Sequence, residues 1–142
     1  IIISSAVCAK ITEIELKCDN SVAVRCSSDG IIIASPTGST AYSLSAGGPI
    51  IDPNMEAICV TPICPHSFFN RSIIFKPDEE LSVSNSGTDS LNVTVDGRFF
   101  TKLPAGGVCK IKAASKRFKM ISFSENNMLA TLFNKMKKFE SI

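Results

Sequence analysis

The sequence lacks several features that would point to particular classes of protein. It has no tryptophan, one tyrosine and one histidine among 142 residues, and its net charge is only +2. The basic residues form no strip except near the end of the chain, which argues against nucleic acid as the main partner. No apolar run approaches the roughly 20 residues that a membrane-spanning helix needs. We therefore expect neither a nucleic-acid-binding protein nor a membrane protein.

The start of the chain has neither an initiating methionine nor the charged leader of a signal peptide. We therefore interpret it as a fragment of a longer, cytoplasmic protein. An even number of cysteines, six, would suit disulfides in a small secreted domain. Several of them occupy apolar positions of strand-like patterns, where cysteine acts as a small hydrophobe. Reduced thiols are therefore favoured over disulfides.

Most of residues 1–123 show the alternation of half-buried strands. In the clearest case, apolar Ile14 and Leu16 alternate with charged Glu13 and Glu15. Further strands are predicted at residues 1–8, 22–26, 31–34, 57–61, 72–75, 81–84, 91–95, 99–100, 109–113 and 118–123. Turn signals separate them, and Asp96-Gly97 is a strong tight-turn dipeptide. Many short strands with turns predict a mainly β chain folded as an antiparallel β-sandwich.

Residues 124–142 follow a helical period instead. Apolar residues recur at spacings of three and four, namely Met128, Leu129, Leu132, Phe133, Met136 and Phe139. This amphipathic helix either closes the core of the β domain or docks on another domain. The width of its apolar stripe favours docking. We therefore divide the chain into a β-sandwich at 1–123 and a C-terminal helix at 124–142 that would pack on an N-terminal α/β domain.

Residues 35–49 (SPTGSTAYSLSAGGP) follow neither period. They come directly after the apolar strand 31–34, which their proline ends because it cannot donate a ladder hydrogen bond. Ser39 or Thr40 can cap a short helix at 41–46, which the two glycines would end. The segment is therefore predicted to be a loop of small residues that runs into the start of a helix.

The chemistry of this segment suits a nucleotide. Hydroxyls and exposed backbone N–H groups can bind a ribose, an amide or a phosphate, and the ring of Tyr42 can stack on a base. The segment is not a P-loop, because no Gly-Lys-Ser/Thr follows, and the Gly-x-Gly-x-x-Gly dinucleotide motif is absent. On composition alone, a Ser/Gly-rich connecting loop is an equally good interpretation.

The segment and its flanks resemble the NAD kinase family. The family's long motif matches residues 29–49 almost continuously. The match runs from Asp29-Gly30 through the apolar strand to the final Gly-Gly-Pro. Residues 61–67 (TPICPHS) and 93–97 (VTVDG) also resemble family segments. The resemblance covers essentially the whole chain, and the predicted helix at its end fits the family's C-terminus.

The resemblance implies the C-terminal, NAD-binding half of an enzyme that phosphorylates the 2′-hydroxyl of NAD to give NADP. The phosphoryl donor would be ATP or polyphosphate, with Mg²⁺. The NAD contacts implied by motif position are Asp29, Thr37, Thr40, Ala41, Tyr42 and Ser45. Asp29 matches a family aspartate that reaches bound NAD, often across a subunit boundary. Because family members assemble through this domain, we expect a homodimer or a homotetramer.

The chain departs from the family at its front. NAD kinases carry a Gly-Gly-Asp-Gly loop, whose aspartate is the proposed base, and an Asn-Glu pair that holds a ribose. Neither occurs here: the Gly-Gly pairs are followed by Pro49 and Val108. The Asn-Glu pair would fall just before Ile1. We therefore expect no catalytic residue in this chain and no kinase activity from it alone.

Two further polar residues are weaker candidates. Asp96 is already explained by its turn, and a single histidine such as His66 is usually structural. Cys59, Cys64 and His66 lack the spacing of a common zinc ribbon, and no fourth ligand is nearby. We therefore predict no metal site.

Two other functions stay open. Lipid kinases of the diacylglycerol and sphingosine type share the general two-domain plan but need an apolar acceptor pocket, whereas the Thr/Ser-rich loop with Tyr42 favours a nucleotide. The chain could also be a non-enzymatic β-sandwich that serves binding or assembly.

Overall fold

The structure is a computed structural model that describes residues 1–7, 10–66 and 70–116, together with the single residues 119, 121, 131, 134 and 137. Its strands are β1 Ile2–Ser5, β2 Thr12–Cys18, β3 Ser21–Ser28, β4 Gly30–Ala34, β5 Ile58–Ile63, β6 Ile73–Phe75, β7 Leu81–Asn85, β8 Leu91–Val95, β9 Arg98–Leu103 and β10 Val108–Ile111. A 3₁₀ helix, Thr37–Thr40, and a short α-helix α1, Tyr42–Ser45, lie between β4 and β5.

The strands form two antiparallel sheets. One has six strands in the order β6-β5-β4-β1-β8-β9, and the other has four in the order β10-β7-β2-β3. Two of the hairpin turns have the positive φ angles that a two-residue turn requires to match the right-handed twist of the strands. Asp96 and Gly97 have φ angles of +48° and +76°, and Asp19 and Asn20 have φ angles of +45° and +67°. The tight turn predicted at Asp96-Gly97 is confirmed.

The strand order brings two connecting segments to one edge of the six-stranded sheet. β1 is antiparallel to both β4 and β8, with Ile2 opposite Ile32 on one side and Thr94 on the other. β4 and β8 therefore run in the same direction, and the segments that follow them leave from the same edge. The first is residues 35–52, and the second is the turn at residues 96–97.

The main core lies between the two sheets. Alternate residues of each strand point into it, as the period of two predicts. The six-stranded sheet contributes Ile3, Ile31, Ile33, Ile58, Val60, Phe75, Leu91, Val93 and Leu103, and the four-stranded sheet contributes Ile14, Leu16, Val24, Cys26, Leu81, Val83 and Ile111. The predicted mainly β fold with packed antiparallel sheets is confirmed.

A smaller core covers the outer face of the six-stranded sheet. It is formed by Ile32, Ala34, Ile51, Cys59 and Ile63. Because Ile51 comes from the segment 35–52, that segment acts as a cover on this face. β4 is therefore buried on both sides, which explains why it is apolar throughout rather than alternating.

Some predicted elements differ from the structure or lie outside the described residues. The strand predicted at 109–113 ends at Ile111. Most of the strand predicted at 118–123 and all six apolar residues of the C-terminal helix fall outside the described residues, so these elements stay predictions. No helix in the described part of the chain is long and apolar enough to cross a membrane.

Candidate functional site

The segment after β4 folds as two short helical pieces. The 3₁₀ helix Thr37–Thr40 is followed by α1, Tyr42–Ser45, and Ala41 separates them with φ −96° and ψ −133°. The short helix predicted at 41–46 is therefore confirmed in position, although it comprises a single turn.

The capping predicted for this helix is wrong. Ala41 precedes α1, and no side chain caps its first turn. The Ser39 hydroxyl instead donates to the Pro36 carbonyl at 2.7 Å, and the Thr40 hydroxyl donates to the Thr37 carbonyl at 3.4 Å. Both hydroxyls therefore stabilise the 3₁₀ turn rather than the helix that follows it.

The segment has an inner and an outer side. Ser39 and Ser43 are both 0% exposed. On the other side, the exposed residues include Ser35, Thr37, Ala41, Tyr42 and Ser45. Ser43 attaches the segment to the sheet through Thr61, and Ser39 holds the segment together through Pro36 and Ile51. The Tyr42 ring, 48% exposed, remains accessible to a ligand.

A cavity of about 780 Å³ lies at the edge where β4 and β8 end. Ala34 and Ile58 line it from the ends of neighbouring strands, and Val95 lines it from the end of β8. Ala41 and Tyr42 line it from the segment 35–52. Its size is that of a nucleotide or cofactor pocket.

The predicted NAD contacts divide into three groups. Ala41 and Tyr42 line the cavity, whereas Thr37, Thr40 and Ser45 belong to the same segment without lining it. Asp29 is the exception, because it belongs neither to the segment nor to the cavity wall.

Asp29 lies at the opposite edge of the six-stranded sheet. It directly precedes β4, whose five residues span roughly 17 Å before Ser35 follows at the cavity edge. Its backbone N–H donates to the Ile63 carbonyl at 3.0 Å, and its carbonyl accepts from the Ser5 N–H at 3.2 Å. Within one chain, Asp29 and the segment that carries Tyr42 therefore lie at opposite ends of β4.

Among the described residues, three charged side chains contribute to the cavity wall. They are Asp96 in the turn after β8, and Lys112 and Lys116 after β10. Within the described part of the chain, neither lysine has an ion-pair partner. Two lysine ammonium groups and one carboxylate give the described cavity wall a net positive charge, which suits phosphate groups. Asp96, a weaker candidate from its sequence, is thus brought to the same cavity as Tyr42.

The other candidate metal residues do not come together among the described residues. Cys59 is buried in the outer core and Cys64 is exposed. The His66 backbone N–H donates to the Ser27 carbonyl at 2.8 Å, near the edge that carries Asp29. His66 is therefore not part of the cavity wall.

One group of side chains with metal-ligand chemistry does meet in the described part: Cys18, Asp19 and Glu79. Both carboxylates already accept backbone N–H groups. Asp19 Oδ1 accepts from Glu80 at 3.1 Å, and Glu79 Oε2 accepts from Lys76 at 2.6 Å. The Asp19–Glu80 contact joins the turn after β2 to the connection before β7, and the Glu79–Lys76 contact lies within that connection.

Sequence reasoning did not assign several residues to the site, although it named Ser39 as a possible helix cap and included Thr61 in a segment that resembles the family. They are the buried hydroxyls of Ser39, Ser43 and Thr61, and the two lysines of the cavity wall. The four-residue spacing of the serines was a signal that could have placed them on one side of a helical segment. No local pattern pairs Thr61 with Ser43, because that contact depends on how the segment folds back over the sheet.

The comparisons with known proteins agree on one family. The model of the ATP-NAD kinase C-terminal domain matches residues 1–123. An NAD kinase from Desulforamulus reducens is 34% identical over 141 residues, which are 99% of this chain and 49% of that protein. An NAD kinase from Thermoanaerobacter sp. strain X514 is 46% identical over 110 residues, which are 76% of this chain and 38% of that protein. The chain thus spans half or less of the length of these relatives.

Solved structures show the same likeness. The crystal structure of an NAD kinase from Archaeoglobus fulgidus in complex with ATP aligns with a TM-score of 0.79 and 26% identity, over 96% of this chain and 52% of that one. The crystal structure of yeast NADH kinase complexed with NADH aligns with a TM-score of 0.77 and 28% identity, over 99% of this chain and 41% of that one. From its fold, its cavity and these matches, the chain belongs to the ATP-NAD kinase C-terminal domain family.

Proposed function

We propose that this chain is the NAD-binding half of an NAD kinase, in which it holds the nucleotide that receives the phosphoryl group. The observation that carries the proposal is that Ala41 and Tyr42, at the centre of the family motif, line one cavity together with two lysines. The half-exposed ring of Tyr42 offers a face on which a base can stack. The lysines can neutralise the phosphates of a dinucleotide.

The proposed reaction is phosphoryl transfer from ATP or polyphosphate to the 2′-hydroxyl of the adenosine ribose. Such transfer depends on positioning and on charge stabilisation, and Mg²⁺ supplies part of the latter by neutralising phosphates. The described cavity wall contains one carboxylate, Asp96. Protein-bound Mg²⁺ usually relies on one or two carboxylates together with substrate phosphates and water, so one carboxylate completes a site only when the nucleotide is bound. We propose acceptor binding as the role of this domain and assign it no magnesium ligand of its own.

The remaining predicted contacts fit NAD binding in two ways. Thr37, Thr40 and Ser45 carry hydroxyls within the same segment as Tyr42, and we propose that they contact the part of the ligand that extends beyond the cavity. Asp29 is too far along β4 to join them in one chain. We propose that Asp29 contacts an NAD molecule bound by a second copy, in a homodimer or a homotetramer.

The two parts of the chain have separate proposed roles. Residues 1–123 form the NAD-binding β-sandwich, and residues 124–142 form a helix that packs on an N-terminal α/β domain. The wide apolar stripe of the helix supports this division, because such a surface needs a partner.

The proposal is tested by titrating the 142-residue chain with NAD and following saturation transfer to the ligand by NMR. Replacing Tyr42 by Ala should weaken NAD binding by roughly 5- to 150-fold, the range expected for loss of one stacked aromatic ring. Met55→Ala is the matched control, since Met55 is 58% exposed and does not line the cavity. Absence of transfer from NAD to a folded wild-type chain at millimolar ligand would refute the proposal.

The alternatives give different results with the same chain. A lipid kinase domain would bind a sphingoid base in preference to NAD, although the relatives and structural neighbours compared above are NAD or NADH kinases. A purely structural module would bind neither ligand. The chain alone should also form no NADP from NAD and ATP, and detectable NADP would show that it carries the catalytic groups.

Assembly is tested separately by light scattering. A dimer or tetramer is expected, and Asp29→Asn should weaken NAD binding only in the assembled form. A well-behaved monomer that binds NAD with full dependence on Asp29 would contradict a contact across subunits.

A further inference from the structure

A chain of three hydroxyl groups joins α1 to the sheet behind the cavity. Thr61 Oγ1, on β5, lies 3.0 Å from Ser43 Oγ on α1 and 2.9 Å from Ser72 Oγ just before β6. Ser43 is 0% exposed and Thr61 is 2% exposed, while Ser72 is half-buried. Cys59 Sγ, also on β5, approaches Thr61 Oγ1 at 3.6 Å. The contacts therefore connect three separate parts of the chain.

The middle position in this chain belongs to Thr61. A hydroxyl can donate one hydrogen bond and accept two, so Thr61 can donate to one serine while it accepts from the other. Its hydroxyl is the hydrogen-bond partner that the structure gives to Ser43 Oγ. Because Ser43 has no contact with solvent, water cannot replace Thr61 if its hydroxyl is removed.

The backbone at Gly48 packs closely against the Ser43–Thr61 hydrogen bond. A Cβ atom added at Gly48 would lie 2.5 Å from Ser43 Oγ and 2.8 Å from Thr61 Oγ1. The Gly48 N–H also donates to the Ser43 carbonyl at 2.8 Å. The second glycine of the pair is thus needed for the backbone to approach the Ser43–Thr61 hydrogen bond this closely.

The hydroxyl chain acts directly behind the residues that face the cavity. Ser43 follows Tyr42 in sequence and belongs to the same cavity wall, yet it has no exposed surface. α1 has only four residues and no side-chain cap, so its own hydrogen bonds hold it weakly. The attachment to β5 through Ser43 therefore contributes to its orientation, together with the Ser39–Ile51 contact that closes the segment.

We propose that Thr61 is a positioning residue of the nucleotide site, which sets the place of Tyr42 and Ala41 through its hydrogen bond to Ser43. The value of this role for NAD binding rests on the proposed function. The positioning of Tyr42 itself does not rest on the proposed function, because it can be measured without a ligand. Thr61 does not touch the nucleotide in this proposal.

The test uses Tyr42 as its own probe. It is the only tyrosine, and the chain has no tryptophan, so the intrinsic fluorescence of the folded 142-residue chain reports on Tyr42. Thr61→Val removes the hydroxyl and keeps the side-chain volume, and Thr61→Ser restores the hydroxyl. Thr12→Val is the matched control, since Thr12 is a threonine of the four-stranded sheet that is 6% exposed and distant in sequence from the site.

Acrylamide quenching of Tyr42 and the dissociation constant for NAD are measured for each variant. In Thr61→Val we expect stronger quenching and NAD binding weakened about fivefold, the effect of losing one hydrogen bond. Thr61→Ser should largely restore the wild-type quenching and the wild-type dissociation constant, and Thr12→Val should leave both quantities close to wild type. Changed quenching in Thr61→Val without any NAD binding by the wild type would support the positioning role and contradict the proposed function.

Two results would overturn the inference. One is a folded Thr61→Val chain with unchanged quenching and unchanged NAD binding. The other is an equal change in Thr12→Val, which would show a general loss of stability instead of a local role. If Thr61→Val does not fold, Ser72→Ala replaces it, since Ser72 is half-buried and its loss leaves the Ser43–Thr61 bond in place. Ser43→Ala is then measured beside it, and Ser72→Ala should change the quenching of Tyr42 less than Ser43→Ala does. Unchanged quenching in both variants would refute the proposal.

Discussion

The backbone N–H of Ile51 donates to the hydroxyl of Ser39 at 3.1 Å, and this bond closes the segment that covers the outer face of the six-stranded sheet. The same hydroxyl donates to the Pro36 carbonyl at 2.7 Å, so one buried oxygen links the start of this segment to its end. Ile51 then packs in the outer core. The position of the candidate site thus depends on a side chain that faces away from it.

Replacing Ser39 by Ala should destabilise the chain because it leaves the buried Ile51 N–H without a partner, whereas the Pro36 carbonyl still accepts from the Ser39 N–H at 3.1 Å. The expected loss is about 1–3 kcal/mol in the free energy of unfolding, measured by urea denaturation. Ser45→Ala is the control, as Ser45 is exposed in the same segment, and it should change stability by less than about 0.5 kcal/mol. Equal effects of the two substitutions would show that the Ser39 contacts contribute nothing specific.

Replacing Gly48 by Ala should force the Ser43–Thr61 contact apart, because the new Cβ would lie 2.5 Å from Ser43 Oγ. We expect a loss of about 1–3 kcal/mol in stability from overpacking. Gly38→Ala is the matched control within the same segment, since its Cβ would meet the nearest atom at 3.6 Å, an ordinary contact. Thermal unfolding of both variants measures the difference, and a wild-type-like Gly48→Ala chain would contradict the packing described here.

Replacing Lys112 and Lys116 together by Gln should weaken binding of NADP more than binding of adenosine. Each lost contact between exposed charges is worth roughly 0.2–1 kcal/mol, and the difference between the two ligands should shrink as salt concentration rises. Lys102→Gln is the control, because Lys102 is exposed on β9 and does not line the cavity. If the double variant binds both ligands as the wild type does, the lysines do not contact phosphate.

The ion pair between Lys10 and Asp89 should make a small, pH-dependent contribution to stability. Lys10 Nζ lies 2.5 Å from Asp89 Oδ2, and this hydrogen bond lowers the pKa of the Asp89 carboxyl below its ordinary value of 3.8. A lowered pKa stabilises the folded chain above the ordinary value, and this stabilisation is lost as pH falls through the folded-state pKa. Lys10→Met should therefore lower the urea midpoint at pH 7 but not near pH 2.

The control for this titration is Lys76→Met, since Lys76 is an exposed lysine without an ion pair in the described part of the chain. It should leave the midpoint nearly unchanged at both pH values. If Lys10→Met lowers the urea midpoint equally at pH 7 and near pH 2, Asp89 is not the titrating partner.

Local patterns predicted most strands correctly because a half-buried strand imposes its period on a few neighbouring residues. Residues 13–18 alternate in the sequence and form β2, and the Asp96-Gly97 turn needs only the backbone preferences of two residues. The capping of α1 could not be predicted in the same way. Ser39 has a cap residue's chemistry, but the fold uses its hydroxyl to close a loop with Ile51, 12 residues away.

The sequence by itself determined the strands, the main turns and the family motif, since each depends on residues close together in the chain. Only the tertiary structure decided which motif residues share a cavity. Antiparallel pairing of β1 with both β4 and β8 brings Tyr42, Asp96 and the segment 35–52 to one edge, whereas the length of β4 leaves Asp29 at the other. Contacts of this kind join positions far apart in sequence, and no local period records them.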